Sequence, residues 1–176
     1  MTESDDFKKN VKMAVKGDKD AFSRLYTLVY KEMYYTAYYS LRNEHDVDDV
    51  ISETILDAFS SIKKLRNEEA FKAWIFKILS AKIKRKQSEY ANTPSDIDEP
   101  EYQNMFYKNF EYENVELAQA MDHIEDEDRM ILSMSVLCGY TGDEIASVCD
   151  LNPSTVRSRL LRTKEKLKKY ISVQSR

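Results

Sequence analysis

Three glycines, three prolines, two cysteines, two histidines and one tryptophan stand in a chain of 176 residues. Each scarcity narrows the reading. So few glycines and prolines leave few obligatory breaks, which points towards helices. Cys138 and Cys149 make no C-x-x-C pair, and His45 and His123 stand apart, so neither a disulfide framework nor a zinc site is expected. Both cysteines read as small buried apolar residues. No window approaches the roughly 18 apolar residues of a membrane span, and Met1 to Asn10 is too charged for a secretory signal. The expectation is a chain that stays in the cytoplasm with no direct membrane insertion. No nucleotide-binding loop or metal constellation is evident, so neither cofactor nor catalytic residues are expected.

With 42% hydrophobic and 33% charged residues, the chain has enough of each to bury a core and stay soluble. Its length permits two compact domains. The net charge of -4 hides unlike blocks: +1 over residues 1–40, -5 over 41–60, +7 over 61–88, -12 over 89–128 and +5 over 129–176. Two basic blocks around a strongly acidic one suggest two surfaces facing nucleic acid, joined by a segment that phosphates would repel. Ordinary solvated helix faces would give the same sums.

Phe7, Val11, Ala14 and Val15 recur at helical spacing until Gly17-Asp18 breaks the pattern. A second helix follows from Asp20 to about Leu41, its apolar face widened by Tyr26, Tyr30, Tyr34, Tyr35, Tyr38 and Tyr39, which read mainly as core and core rim. The spacing predicts a third helix from Asp46 to about Ile62, with Val47, Ile51, Ala58 and Ile62 inward. On it Asp49, Glu53 and Asp57 repel one another at i, i+4 and i+8. A basic partner would offset that repulsion; a solvated acidic face is the plainer alternative. A fourth helix is expected from about Glu69 to Gln87, with Phe71, Trp74, Ile75, Ile78, Leu79 and Ile83 apolar and Lys72, Lys77, Lys82, Lys84, Arg85 and Lys86 cationic. Amines beside aromatic rings suit a single-stranded nucleic-acid surface, although Phe71 and Trp74 fall among the core positions. Residues 89–113, with Pro94, Pro100 and scattered acids, read as a linker between domains at 1–88 and 114–176. The fold class is therefore all-α: two small helical domains joined by an acidic linker.

The C-terminal stretch is the most specific. Thr141 to Glu144 fits a capping box that opens a short helix ending at Cys149, Asp150-Leu151-Asn152 makes a turn, and Asn152-Pro153 provides an N-cap followed by proline at the first helical position. Short helix, tight turn and basic second helix make a helix-turn-helix. On a wheel of the second helix Val156, Leu160, Thr163 and Leu167 face inward, and Ser154, Ser158, Leu161, Arg162 and Glu165 face away, with Arg157 and Arg159 at the flanks. Arg157, Ser158 and Arg162 are candidate base readers, and Lys164, Lys166, Lys168 and Lys169 candidate phosphate contacts.

These features occur as Lys16-Gly17-Asp18 through Ala21-Phe22, DVDDVISETILDAF, FKAWIFKI and GYTGDEIASVCDLNPSTVRSRLLRTKEKL, in that order over nearly the whole chain. Together they resemble the extracytoplasmic-function sigma factors of the bacterial sigma-70 family. The resemblance implies a promoter-specificity subunit without catalysis of its own. Its partners would be core RNA polymerase, through the beta-prime clamp helices and the beta subunit, and promoter DNA, together with an anti-sigma factor, often membrane-anchored, that holds it inactive until a stress signal. The acidic helix, with Asp46, Asp49, Ser52, Glu53 and Asp57, would dock on the polymerase. Lys63, Lys64, Leu65, Arg66 and Asn67, followed by Lys77, Lys82, Lys84 and Arg85, would recognise and help melt the minus-10 element. The acidic linker would run through the RNA exit path. Ser154, Thr155, Arg157, Ser158, Leu161, Arg162 and Lys166 would read the minus-35 element. Some positions depart from the family pattern: Ser52 stands where Gln is common, Ala81 where many members carry Asn, and Leu161 replaces a larger residue.

Two other readings compete. A lone helix-turn-helix regulator would use only the last third of the chain and leave the acidic stripe and the second basic region unexplained. A magnesium-dependent enzyme would rely on Asp46, Asp49 and Glu53, a weak constellation of carboxylates with no facing motif.

Overall fold

The computed structural model describes residues 3–92 and 119–174, and every described element of regular structure is helical. Helix α1 (Glu3–Val15) stops where Gly17 turns the backbone at φ +101°, a conformation that a Cβ would strain. Asp18 then caps α2 (Lys19–Leu41), its carboxylate accepting from the Ala21 N–H at 2.9 Å. Arg42 ends α2 in the left-handed region, and Asn43 caps α3 (Glu44–Ser61) by accepting from the Asp46 N–H. Two short 3-10 turns, Ile62–Lys64 and Glu68–Ala70, lead into α4 (Phe71–Asn92). The C-terminal half holds α5 (Asp126–Val136), α6 (Gly142–Cys149) and α7 (Pro153–Gln174).

Most of the inward positions expected from periodicity are buried, while Phe7, Val15, Trp74 and Ile78 are half-buried at the edge of the core. In the first half Val11, Leu25, Val29, Met33, Val47, Val50, Phe71, Ile75, Leu79 and Ile83 pack together; in the second, Met130, Ile131, Met134, Ile145, Val148, Val156 and Leu160 do. Each such side chain contributes roughly 1.5–3 kcal/mol through removal from water. Tyr38 and Tyr39 are fully buried, whereas Tyr30 is exposed, so the tyrosines of α2 divide between core and surface. Helix α4 extends to Asn92, so residues 89–92, expected in the linker, are helical. The remainder of that linker from residue 93, and residues 114–118 of the expected C-terminal domain, lie outside the described residues.

The two halves share one hydrophobic cluster, with α2 against α5 and α4 against α6. Polar ties cross this seam. Arg42 pairs with Asp122 at 2.6 Å, the Ser80 hydroxyl donates to the Val148 carbonyl at 3.1 Å, and the Gln87 amide, which also donates to the Ser40 carbonyl on its own side, donates to the Asp126 carbonyl. The Lys84 ammonium sits on the Cys149 carbonyl, at the C-terminus of α6, where the helix dipole favours a cation. Thr36 Oγ1 meets Cys138 Sγ at 3.3 Å, and the Phe76 and Tyr140 rings are 5.2 Å apart. The seam is not fully satisfied. The Tyr140 hydroxyl and Arg129 Nε are buried without a hydrogen-bond partner among the described residues, each at a cost of about 1–3 kcal/mol. Cys149 is buried as expected and its thiol is pushed up to about 11 by burial, whereas Cys138 is only half-buried.

Candidate functional site

The acidic stripe of α3 meets a basic partner inside the chain. Lys82 of α4 pairs with Asp57 at 2.6 Å and with Glu53 at 3.4 Å, Arg85 pairs with Glu53 at 2.7 Å, and Lys86 pairs with Asp46 at 2.9 Å. The Tyr90 hydroxyl also donates to Asp46. The basic partner that the repulsion at i, i+4 and i+8 called for is thus supplied in part by α4, which pairs with Glu53 and Asp57. Hydrogen bonding from the Arg85 guanidinium, with Lys82 nearby, holds the Glu53 carboxyl below its usual range. Burial alone would raise Asp46, but hydrogen bonds from Tyr90 and Lys86 outweigh it and hold that carboxyl low. The Asp57 hydrogen bond raises Lys82.

The sign of the pH dependence follows. A carboxyl depressed in the folded state stabilises the fold above the ordinary carboxylate range, and that contribution disappears as pH falls through the depressed value. Asp46→Asn is expected to cost about 1 kcal/mol at neutral pH and to flatten the acid limb of stability, as measured by urea unfolding at a series of pH values.

Asp49 and Ser52 differ from the other acidic-helix positions. Both are exposed, and Asp49 makes no ion pair among the described residues. One helical turn further, on the same outer face, Leu56 is 68% exposed and Phe59 44%, the Phe59 ring lying edge-on to Phe22 at 5.2 Å. Sequence reading missed these two. The signal was available, because Leu56 follows Asp49 by seven residues and falls outside the inward set Val47, Ile51, Ala58 and Ile62. The result is a surface of one carboxylate, one hydroxyl and two apolar side chains, suited to a protein partner.

The candidates after α3 separate into two groups. Lys63, Lys64, Arg66 and Asn67 are exposed on the turn between α3 and α4, where Leu65 is half-buried against the core and the Asn67 side chain accepts from the Glu69 N–H at 3.0 Å. Lys77 is exposed on α4. Lys82, Lys84 and Arg85 are engaged within the chain, by Asp57, the Cys149 carbonyl and Glu53 respectively. The structure therefore brings residues expected at the minus-10 surface onto residues expected at the polymerase surface.

The helix-turn-helix is built as its sequence requires. The Thr141 hydroxyl accepts from the Glu144 N–H while the Glu144 carboxylate accepts from the Thr141 N–H at 2.7 Å, completing the capping box. Asp150 ends α6 in the left-handed region, and Asn152 Oδ1 accepts from the Ser154 N–H at 2.9 Å to start α7. Val156, Leu160 and Thr163 are buried and Leu167 half-buried, so the wheel is oriented as expected. Ser154, Arg157, Ser158, Leu161, Arg162 and Lys166 are exposed, and Thr155 is half-buried beside them. Arg157 makes one loose exposed pair with Asp143 at 3.2 Å, worth little in water and readily exchanged for a phosphate or base. Among the described residues Arg162 reaches only a carbonyl of its own helix, that of Ser158 at 3.4 Å. Lys166 pairs loosely with Glu125 at 3.4 Å. Arg159, placed by the wheel at the flank, is tied to Glu127 at 2.7 Å and Asp128 at 3.4 Å and braces α7 on α5.

Comparison with known proteins agrees with this arrangement. The family described as Sigma-70 region 2 matches residues 25–89, and the family described as Sigma-70, region 4 matches residues 114–167. The RNA polymerase sigma factor SigV of Bacillus subtilis is 28% identical over 135 residues, covering 75% of this chain and 80% of its own length. The ECF RNA polymerase sigma factor SigW of the same organism is 22% identical, over 93% of this chain and 96% of its own. The ECF RNA polymerase sigma-E factor of Escherichia coli is 26% identical over 88% of each. Among solved structures, CnrH in complex with the cytosolic domain of CnrY matches with a TM-score of 0.72 at 20% identity, over 96% of this chain and 98% of that one. The sigma factor RpoE in complex with the anti-sigma factor NepR from Bartonella quintana gives 0.71 at 17%, over 89% and 99%. Region 2 and region 4 both present, in this order and over most of the chain, make it a member of the sigma-70 family, as a sigma factor of the extracytoplasmic-function type.

Proposed function

We propose that this chain loads onto core RNA polymerase through the outer face of α3 and directs the enzyme to promoters that it reads at two places. Sigma factors bind core polymerase and promoter DNA and leave catalysis to the polymerase; the residue assignments below are specific to this chain. Asp49 and Ser52, with Leu56 and Phe59, form the docking face. Asp46, Glu53 and Asp57 hold α3 on α4 and so set that face in position. The exposed turn Lys63–Asn67, with Lys77, engages the minus-10 element, where cations take phosphates and the strand is drawn open. Arg157, Ser158 and Arg162 enter the major groove of the minus-35 element, flanked by Ser154, Thr155, Leu161 and Lys166.

Control by an anti-sigma factor fits the same surfaces, because a protein that covers α3 blocks polymerase loading. The two solved relatives above were captured with such a partner or with a cytosolic domain. None of the described helices is long and apolar enough to cross a membrane. We place the chain in the cytoplasm, at the inner face of the membrane when its inhibitor is membrane-anchored. Release by a stress signal completes the proposal.

The observation that carries this reading is the coexistence of an exposed helix-turn-helix reading face with an exposed acidic and apolar face on α3. A lone regulator has no use for the second. The enzyme reading is not favoured either, since Asp46 and Glu53 hold cations of α4. Size-exclusion chromatography with bacterial core RNA polymerase tests the proposal: co-elution is expected. A chain that shifts duplex DNA by itself but never co-elutes would make the lone regulator the better description.

A further inference from the structure

Helix α1 lies ahead of the residues matched to region 2 and packs against both 3-10 turns, Ile62–Lys64 and Glu68–Ala70, between which stand Leu65, Arg66 and Asn67. A cleft of about 340 Å³ opens between this helix and the turn. Val11, Val15 and Leu65 line it with aliphatic carbon, and Lys12, Lys16 and Arg66 bring three cations to it against one acid, Glu68. That acid is loosely engaged: its carboxylate stands 3.8 Å from the Lys12 ammonium, in a water-exposed pair worth little. The Lys16 ammonium and the Arg66 guanidinium have no ion pair among the described residues. A fourth cation stands close by. At Gly17, whose φ of +101° bends the chain out of α1, the Lys63 side chain passes 3.9 Å from where a Cβ would stand.

Resting on the functional reading above, we propose that this cleft holds the sugar-phosphate backbone of the unpaired strand beside the minus-10 turn, with Lys12 and Lys16 on its phosphates. Three cations against one acid favour an anionic ligand. Continuity decides between a nucleic-acid strand and an acidic peptide, because Arg66 belongs both to the cleft and to the turn placed on the minus-10 element. Lys12 and Lys16 are one helical turn apart, about 5–6 Å between Cβ atoms, so their ammonium groups can take neighbouring phosphates of one strand. No aromatic ring is among the described lining residues, so a base has nothing to stack on. The aliphatic carbons pack against sugar instead. The contact therefore positions the strand at the turn without reading its sequence.

The test uses the full chain assembled with core polymerase, on a fork template that is duplex at the minus-35 element and single-stranded from the minus-10 element onward. Affinity is measured against salt concentration for the wild-type chain, Lys12→Ala/Lys16→Ala, Lys12→Arg/Lys16→Arg and Lys9→Ala, an exposed lysine of α1 outside the cleft. Each lost single-strand phosphate contact lowers the salt slope by about 0.7, so the double alanine variant should lose about 1.4. That amounts to roughly 25-fold in affinity at ~0.1 M salt relative to ~1 M, and it should be the same for every minus-10 sequence. The double arginine variant and Lys9→Ala should match the wild-type chain. Circular dichroism and thermal melts check the fold of each. An unchanged slope in the folded double alanine variant would overturn the proposal. So would an equal loss from Lys9→Ala, the mark of a general attraction to a basic helix, or a loss confined to some minus-10 sequences. If the wild-type assembly binds no template at all, the functional reading fails and this inference with it, an outcome distinct from the others.

Discussion

Asp49→Lys is expected to eliminate loading onto core RNA polymerase while leaving the fold intact. Asp49 is exposed and makes no ion pair among the described residues, so reversing its charge breaks no salt bridge and loses only the longer-range attraction to Lys86. Its neighbours on the docking face, Ser52 and Leu56, are exposed as well, which puts the new ammonium at the contact itself. A like charge across a protein interface costs several kcal/mol; a penalty of about 3 kcal/mol corresponds to roughly a hundredfold in affinity. The comparison with Glu53→Lys is informative. That change would set a cation against Arg85 and Lys82, which now lie 2.7 and 3.4 Å from the carboxylate, and it should lower stability before it reports on docking. Titration calorimetry on both variants, with thermal melts in parallel, separates the effects. A folded Asp49→Lys chain with unchanged affinity would remove α3 as the docking helix.

Arg162→Ala should weaken transcription through loss of minus-35 discrimination. Arg162 is exposed on the outer face of α7 and, among the described residues, has only a weak bond to its own helix, so its guanidinium is available for two parallel bonds to the edge of a guanine. Losing such a bidentate contact costs about 1–3 kcal/mol, or roughly 5- to 150-fold, at one base pair only. Lys166, by contrast, is placed as a phosphate contact. Lys166→Ala should lower affinity about equally for all sequences and reduce the salt slope by about one. Binding of minus-35 duplex variants by both substituted chains distinguishes a reader from an anchor. Unchanged ranking of the variants by Arg162→Ala would sink its assignment.

The helix-turn-helix was legible because its signals are local. A capping box, a turn and proline at the first helical position lie within thirteen residues, and the structure reproduces each. The helices of the first half were legible from period alone, with ends displaced by a few residues. The pairing of α3 with α4 was not. Glu53 and Arg85 are 32 residues apart, and periodicity assigns faces without saying which faces meet. Two sets of charges taken as separate surfaces therefore turned out to be partners in part. The seam was hidden for the same reason: Lys84 on the Cys149 carbonyl spans 65 residues, and a lysine among six cations carries no sign that one of them caps a distant helix. Leu56 and Phe59 were overlooked for another reason: both fall outside the inward set of α3, but the outer face of that helix was read from its charges alone.

The most direct test is in vitro transcription with purified core polymerase and this chain on a pool of promoter templates varied at both elements. Transcripts that start only in the presence of the chain, and that depend on both the minus-10 and the minus-35 sequence, are the expected result. Initiation that ignores one of the two elements, or that is no greater than with core polymerase alone, would contradict a promoter-specificity subunit that reads DNA with both halves.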